Sequence, residues 1–199
     1  MLGLIYIDGG DIQIFGKNVK DIKPEDKEQI GVVLSDSGFS RYLTVKDIKD
    51  ILKNTYEAFD EQLFTNYIEK YQLPTDKKLE QFSVGMKAKL KLITAICHKA
   101  KLLILDEPCN GMDILSREFL LKDLQTLLEE KNMALIYVTH HTDEILPFFN
   151  KALLLKNGEE YKQGAIKDVF TESNLKDFFE VPINVSWSDN NLTIHMSDI

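Results

Sequence analysis

Apolar and polar positions along this chain follow two periods, and the change from one to the other outlines its elements. Strand-like runs come first. Residues 2–7 and 11–15 flank Gly9-Gly10 and predict a hairpin, and Gly31-Val32-Val33-Leu34 predicts a brief buried strand. Helical spacing takes over after Thr44. Thr44 with Asp47 three residues on marks a helix start. Val45, Ile48 and Leu52 then share one face, and Phe64, Tyr67, Ile68 and Tyr71 share a face of a second helix bounded by Pro74. A further helix opens at Ser83, with Met86, Leu90, Ile93 and Cys97 on one side and Lys87, Lys89 and Lys91 expected on a solvated face.

Beyond it, residues 102–105 form a strand. Leu120, Leu124, Leu127 and Leu128 stripe the next helix, and residues 134–138 form a second strand that ends at Thr139-His140-His141. Residues 152–155 and 160–163 face each other across Asn157-Gly158, a strong hairpin signal. The tail alternates at Ile183, Val185 and Trp187, then at Leu192, Ile194 and Met196, with Asp189-Asn190-Asn191 between them. That pattern predicts a terminal hairpin.

A strand, a helix and a strand over residues 102–138 call for a parallel sheet, because parallel neighbours need a crossover. Ligands of such sheets sit at the C-terminal strand ends. Asp106, Glu107, Thr139 and His140 all fall there, so neighbouring strands bring two acids and an imidazole to one rim.

Composition narrows the class. The 199 residues suffice for one α/β domain with a core, and 44% hydrophobic with 28% charged residues is ordinary for a globular chain. A formal net charge of -8 argues against a general nucleic-acid or anionic-membrane binder. No apolar run approaches the ~20 residues of a membrane span, and the N-terminus does not have the pattern of a secretory signal. Cys97 and Cys109 have no metal-type spacing and are expected as reduced thiols in a cytoplasmic protein.

The rim residues have a definite chemical use. Asp106 suits Mg²⁺, which takes few carboxylates and several oxygens from water and phosphate. Glu107 can orient or deprotonate a water attacking a terminal phosphate. The plainer alternative is that Asp106-Glu107-Pro108 caps the next helix. His140 can sense a phosphate or stabilise transition-state charge, or it can be structural. Ser83-Val84-Gly85-Met86 opens a helix and so offers a hydroxyl, backbone N–H groups and a positive helix end to an anion. Its plain alternative is an ordinary serine N-cap.

Taken together, "FSVGMKAKLKLITAI", "KLLILDEPCNGMD" and "IYVTHH", in this order and spacing, resemble the ATP-binding subunit of ABC transporters. Ser83-Val84-Gly85-Met86 matches the family's signature motif, residues 102–107 match Walker B, and residues 110–113 match the D-loop. His140 matches the switch histidine, and "IGVVLSDSGFSRYLTVKDI" resembles the Q-loop segment. The resemblance implies a P-loop NTPase-like α/β fold, with a mostly parallel sheet, a small antiparallel part and a helical subdomain near residues 36–80. It implies a partial ATPase domain over 1–165 and an extension over 166–199. It implies ATP and Mg²⁺ as cofactors, Glu107 and His140 as catalytic groups, and Asp106 and Ser35 as metal ligands. Ser83, Val84, Gly85, Met86 and Asp113 are the implied nucleotide-binding residues.

Two departures shape the expectation. The family's phosphate loop, G-x-x-x-x-G-K-[ST], does not occur in these residues. The nearest pair is Gly16-Lys17, with Asp11 in the place of the first glycine and Asn18 in that of the hydroxyl. By the resemblance, Met1 falls inside the helix that follows that loop, ahead of which the family has its first strands and adenine-stacking aromatic. Ser35 stands where the family usually has the Q-loop glutamine.

Charge-assisted hydrogen bonds contribute ~1.5–3 kcal/mol each, so a chain without the loop is expected to bind ATP weakly alone and to be inactive alone. The family's head-to-tail dimer leaves it able to donate Ser83, Gly85 and Asp113 to a second ATP-binding subunit, identical or different. A membrane permease subunit is the other implied partner, with the chain peripheral at the inner face of the membrane. Alternatives are a non-catalytic partner lending its signature to an intact ATPase, and a soluble ABC-type ATPase with no transporter. "SVGMK" with Tyr56, Asp60 and Phe64 is similar to exporter-type members, while "NLKDFFEVPINV" is similar to subunits linked to metal or chelate uptake.

Overall fold

The computed structural model describes residues 9–35, 38–188 and 191–196. The chain divides into two compact units, Met1–Val138 and Thr139–Ile199, whereas the sequence reading divides it at 165.

In the first unit, β1 (Gln13–Ile14) and β2 (Lys17–Asn18) pair antiparallel across Phe15-Gly16, both with positive φ, 53° and 76°. This is the two-residue turn whose twist suits a hairpin. The hairpin expected around Gly9-Gly10 needs residues 2–7, which lie outside the described residues. Gly16-Lys17 is thus a turn and a strand start, and Lys17 Nζ lies 2.6 Å from Asp26 Oδ1 in the helical turn α1 (Pro24–Lys27). Proline at the first position costs α1 no hydrogen bond, since that N–H has no helical partner anyway.

β3 (Ile30–Val33) follows, one residue earlier than the sequence pattern suggests. Two helices come next, α2 (Val45–Thr55) and α3 (Glu61–Lys70). Thr44 and Asp47 form the predicted reciprocal cap, with Thr44 N–H donating to Asp47 Oδ2 at 2.8 Å and Asp47 N–H to Thr44 Oγ1 at 3.2 Å. Val45, Ile48, Leu52, Phe64 and Ile68 are buried, as their spacing requires. α4 (Val84–Ile96), β4 (Leu102–Asp106), α5 (Ile114–Lys131) and β5 (Ala134–Val138) complete the unit.

β3, β4 and β5 form one parallel sheet in that order, with Val33 opposite Leu105 and Asp106 opposite Val138. β4 is central and buried on both faces, which is why it reads as an unbroken apolar run rather than an alternating one. α4 packs on β3 with almost no spacer. A Cβ on Gly31 would lie 2.1 Å from the Ala95 carbonyl oxygen and 3.0 Å from Leu103 Cδ1.

The lysine face of α4 differs from expectation. Lys87 is exposed, but Lys89 is half-buried with its ammonium 5.1 Å from the centre of the Tyr71 ring. Lys91 turns inward to the backbone after β3. Aliphatic stems of lysine bury readily while the ammonium keeps polar partners, so alternation of lysines does not by itself mark a solvated face.

In the second unit, β6 (Lys151–Lys156) and β7 (Glu159–Ala165) form the predicted hairpin, with Asn157 and Gly158 at φ 54° and 82°. The short helices α6 (Ile166–Val169) and α7 (Glu172–Phe179) lead to a second hairpin, β8 (Ile183–Ser188) and β9 (Asn191–Met196). Its tip, Asp189-Asn190, lies outside the described residues. Val169, Phe170, Leu175 and Ile183 form the core of this unit, and Trp187 Nε1–H donates to the Phe170 carbonyl at 3.3 Å.

Gly31→Ala should therefore destabilise the chain by about 3 kcal/mol or more, at or beyond the upper end of ordinary overpacking. Urea unfolding followed by circular dichroism measures it, and a loss below about 1 kcal/mol would contradict the packing described.

Candidate functional site

The C-terminal end of β4 places Asp106 and Glu107 in sequence. After four buried residues the strand delivers Asp106 in its last position, and the chain then turns sharply. Glu107 takes a left-handed backbone, φ 47°, and its N–H donates to the Val138 carbonyl at 2.9 Å. A non-glycine residue held there costs about 1–3 kcal/mol. Asn110 N–H donates to the Glu107 carbonyl at 3.1 Å, which closes the turn that leads to the 110–113 segment. The two acids thus leave the sheet on a bent, fixed piece of backbone instead of running into α5 as a cap.

Ser35, two residues past β3, meets Asp106. Its hydroxyl lies 3.2 Å from Asp106 Oδ2 and donates to it. Two hard oxygen donors from adjacent strand ends suit Mg²⁺, which accepts few protein oxygens and keeps several waters. The donor set therefore fits such an ion, for which Asp106 would be the charged ligand and Ser35 a neutral one.

The start of α4 and the start of α5 are braced against each other. Ser83 caps α4 by accepting from Met86 N–H at 3.2 Å. The plain capping role is therefore filled, and the first-turn amides of Val84 and Gly85 still have no acceptor within their own helix. Asp113 caps α5 in the same way, accepting from Ser116 N–H at 2.9 Å and from the Ser116 hydroxyl at 2.6 Å. Gly85 is where the two starts touch: a Cβ there would lie 3.2 Å from Ser116 Oγ and 3.3 Å from Ser116 Cβ. A Cβ on Gly111, whose φ is 72°, would lie in ordinary contact with Val84 Cγ1, at 3.6 Å. Around this junction Val84, Ile114, Leu115 and Phe119 are exposed apolar residues.

His140 lies two residues beyond the last residue of β5 and belongs to the second unit. It is exposed, and its ring centroid stands 4.0 Å from that of His141. The loop that carries it is fixed from below: the Thr139 hydroxyl donates to Glu144 Oε2 at 2.8 Å, His141 N–H donates to Thr139 Oγ1 at 3.0 Å, and Glu144 is buried.

Two features escaped the sequence reading. Lys91 Nζ donates to the carbonyls of Leu34 and Ser35, each at 3.3 Å. His98 is buried, stacks on Tyr56 at 4.3 Å between centroids, and has Nδ1 and Nε2 at 3.2 and 3.4 Å from the Thr94 and Ile30 carbonyl oxygens. Burial holds His98 below the usual imidazole range, so it is a neutral structural group near pH 7. Burial likewise pushes the Cys97 thiol up to about 12, so it stays an inert thiol. Neither Lys91 nor His98 carries a motif, and only the lysine's place at the i+8 position from Ser83 hinted that it shares a helix with the site.

The Ser116 hydroxyl, and after it the Ser116 amide, hold the Asp113 carboxyl below its ordinary value of 3.8. A depressed folded-state value means that this cap stabilises the fold above the unfolded pKa and loses that contribution as pH falls through the folded one. Ser116→Ala should raise the Asp113 pKa toward 3.8 in a carboxyl-carbon NMR titration. An unchanged titration would show that the hydroxyl does not control this cap.

Comparison with known proteins agrees with these local structures. The family model described as ABC transporter matches residues 1–110, more than half of the chain. The ABC transporter ATP-binding protein YlmA of Bacillus subtilis is 43% identical over 114 residues, 57% of this chain and 43% of that protein. The bacitracin transport ATP-binding protein BcrA of Bacillus licheniformis is 32% identical over 164 residues, 80% of this chain and 53% of that protein. The chain spans about half the length of these relatives.

Among solved structures, the ATP-binding subunit of an ABC transporter aligns with a TM-score of 0.73 at 21% identity, over 91% of this chain and 75% of that one. A metal-chelate type ABC transporter in an inward-facing conformation aligns at 0.70 and 23%, over 85% and 71%. With the Asp106–Glu107 turn, the Ser83 helix start and the braced Asp113 cap on one α/β unit, this chain belongs to the ABC transporter ATP-binding family.

Proposed function

We propose that this chain works in the ATP-binding subunit of a transport system, where ATP binding and hydrolysis drive a separate membrane subunit. The Ser35–Asp106 contact carries the reading, because a hydroxyl and a carboxylate meet there at the C-terminal strand ends, the edge of a parallel sheet where ligands bind. Mg²⁺ bound there would neutralise phosphate charge. Asp106 and Ser35 would hold the ion and Glu107 would orient or deprotonate the attacking water, while the resemblance assigns His140 the stabilisation of charge on the transferred phosphoryl group.

Ser83, Val84, Gly85 and Met86 with Asp113 contribute a different surface, one that receives the nucleotide of a second ATP-binding subunit. The apolar rim of Val84, Ile114, Leu115 and Phe119 supports this, since exposed apolar residues gathered around polar ligand groups mark interaction faces. The permease docks near Phe39 to Tyr42. Among the described residues no helix is long and apolar enough to cross a membrane, so the membrane path belongs to the other subunit in this reading. BcrA is named for bacitracin transport, and a relative from Archaeoglobus fulgidus, 25% identical over 175 residues, is named for molybdate and tungstate import. Their shared role as ATP-binding proteins supports transport more than it supports either cargo.

These residues hold no G-x-x-x-x-G-K-[ST] loop, so the 199-residue chain alone should bind Mg-ATP more weakly than micromolar in isothermal titration. Mixed with an intact ATP-binding subunit, it should raise that subunit's nucleotide affinity, and Ser83→Ala with Gly85→Asp should remove the increase. Tight binding by the chain alone, or an increase indifferent to both substitutions, would sink the proposal.

A further inference from the structure

The strand β3 and the helix α4 run side by side in opposite directions, and they are tied twice. The first tie is Gly31 against the Ala95 carbonyl, where a Cβ would stand 2.1 Å away. The second is Lys91, one helical turn earlier, whose ammonium donates to the Leu34 and Ser35 carbonyls at 3.3 Å each. The spans do not match. Four residues of strand cover about 13 Å, and four residues of helix cover about 6 Å. Packing at Gly31 therefore leaves the backbone at Ser35 alongside the first half of α4, about 7 Å farther along the axis than the Lys91 backbone. A helical side chain leans toward the N-terminus of its helix, and the long Lys91 stem spans that offset and ends in a donor. The Lys91 stem also runs past Gly38, where a Cβ would lie 3.5 Å from Lys91 Cε.

The residue so held is Ser35, whose hydroxyl donates to Asp106 Oδ2 at 3.2 Å. The same helix starts after Ser83, eight residues from Lys91 and thus about 12 Å along the axis. We infer that Lys91 is a positioning residue: it holds the Ser35 turn so that the Ser35 hydroxyl stays at the metal-binding Asp106, and it ties that turn to the helix that starts at Ser83. This rests on the reading of Ser35 and Asp106 as a divalent-ion site. A shift of α4 along its axis then reaches both groups at once, moving the Ser83 helix start and the Ser35 oxygen together.

Lys91 bears on the ion through backbone carbonyls, not by contact with it. Lys91→Met keeps the stem and removes the donor, while Lys91→Arg keeps reach and donors. The test uses Mn²⁺ as the probe and the full chain, with paramagnetic broadening of the Ser35 and Asp106 amide signals as readout and circular dichroism to verify folding. Lys91→Met should weaken Mn²⁺ binding about fivefold or more, Ser35→Ala should do the same, and the double variant should be no weaker than either single one, since both act through one oxygen. Lys91→Arg should return to within about twofold of the native chain.

A folded Lys91→Met chain that titrates like the native one, or a double variant whose losses add, overturns the role of Lys91 while leaving the ion site standing. A native chain whose Ser35 and Asp106 signals ignore Mn²⁺ overturns the ion site, and this inference with it.

Discussion

The contact on which the first unit depends is the one at Gly31. A strand and a helix normally keep side chains between them, and here a glycine removes that layer so that the Ala95 carbonyl comes up to the strand backbone. The strand ends and helix starts of this unit are measured from that contact. It sets the depth of α4 against β3, and β3 sets β4 by their parallel register. β4 in turn carries Asp106 and the bent backbone of Glu107. Interiors this close-packed transmit displacement instead of absorbing it.

That arrangement explains how a short set of polar groups is held by the ends of strands and the starts of helices. Asp106, Ser35 and Glu107 stand at strand ends, where the sheet fixes backbone direction. Ser83 and Asp113 stand at helix starts, where capping fixes a side chain by the amide three residues on. Gly85 and Ser116 then lock the two starts to each other. Each group is placed by local backbone geometry, and long-range packing decides only which starts and ends are neighbours. The His140 loop follows the same logic within its own unit, with the buried Glu144 and the Thr139 hydroxyl holding its backbone.

Legibility from the sequence followed the same division. Asp106 and Glu107 could be read because four apolar residues run straight into two acids, a pattern that a buried strand end produces. Ser83 and Thr44 could be read as helix starts because capping is local. The Asn157-Gly158 hairpin could be read because its turn demands residues that tolerate positive φ. Lys91 could not. Alternating with Lys87 and Lys89, it has the look of a solvated face, and only the approach of β3 gives its ammonium two carbonyls. His98 was equally silent, because one histidine between Cys97 and Lys99 says nothing about the Tyr56 ring that covers it.

The sequence by itself determined the periods, the caps, the turn chemistry and the order of the motifs, since these depend on residues a few positions apart. Only the tertiary structure decided that Ser35 reaches Asp106, that Gly85 rests on Ser116, and that Lys91 spans from α4 to the end of β3. Those pairs are separated by 71, 31 and 56 or 57 positions in the chain. No local propensity encodes such distances. They follow from the closeness with which a helix can lie on a strand once a glycine has cleared the way.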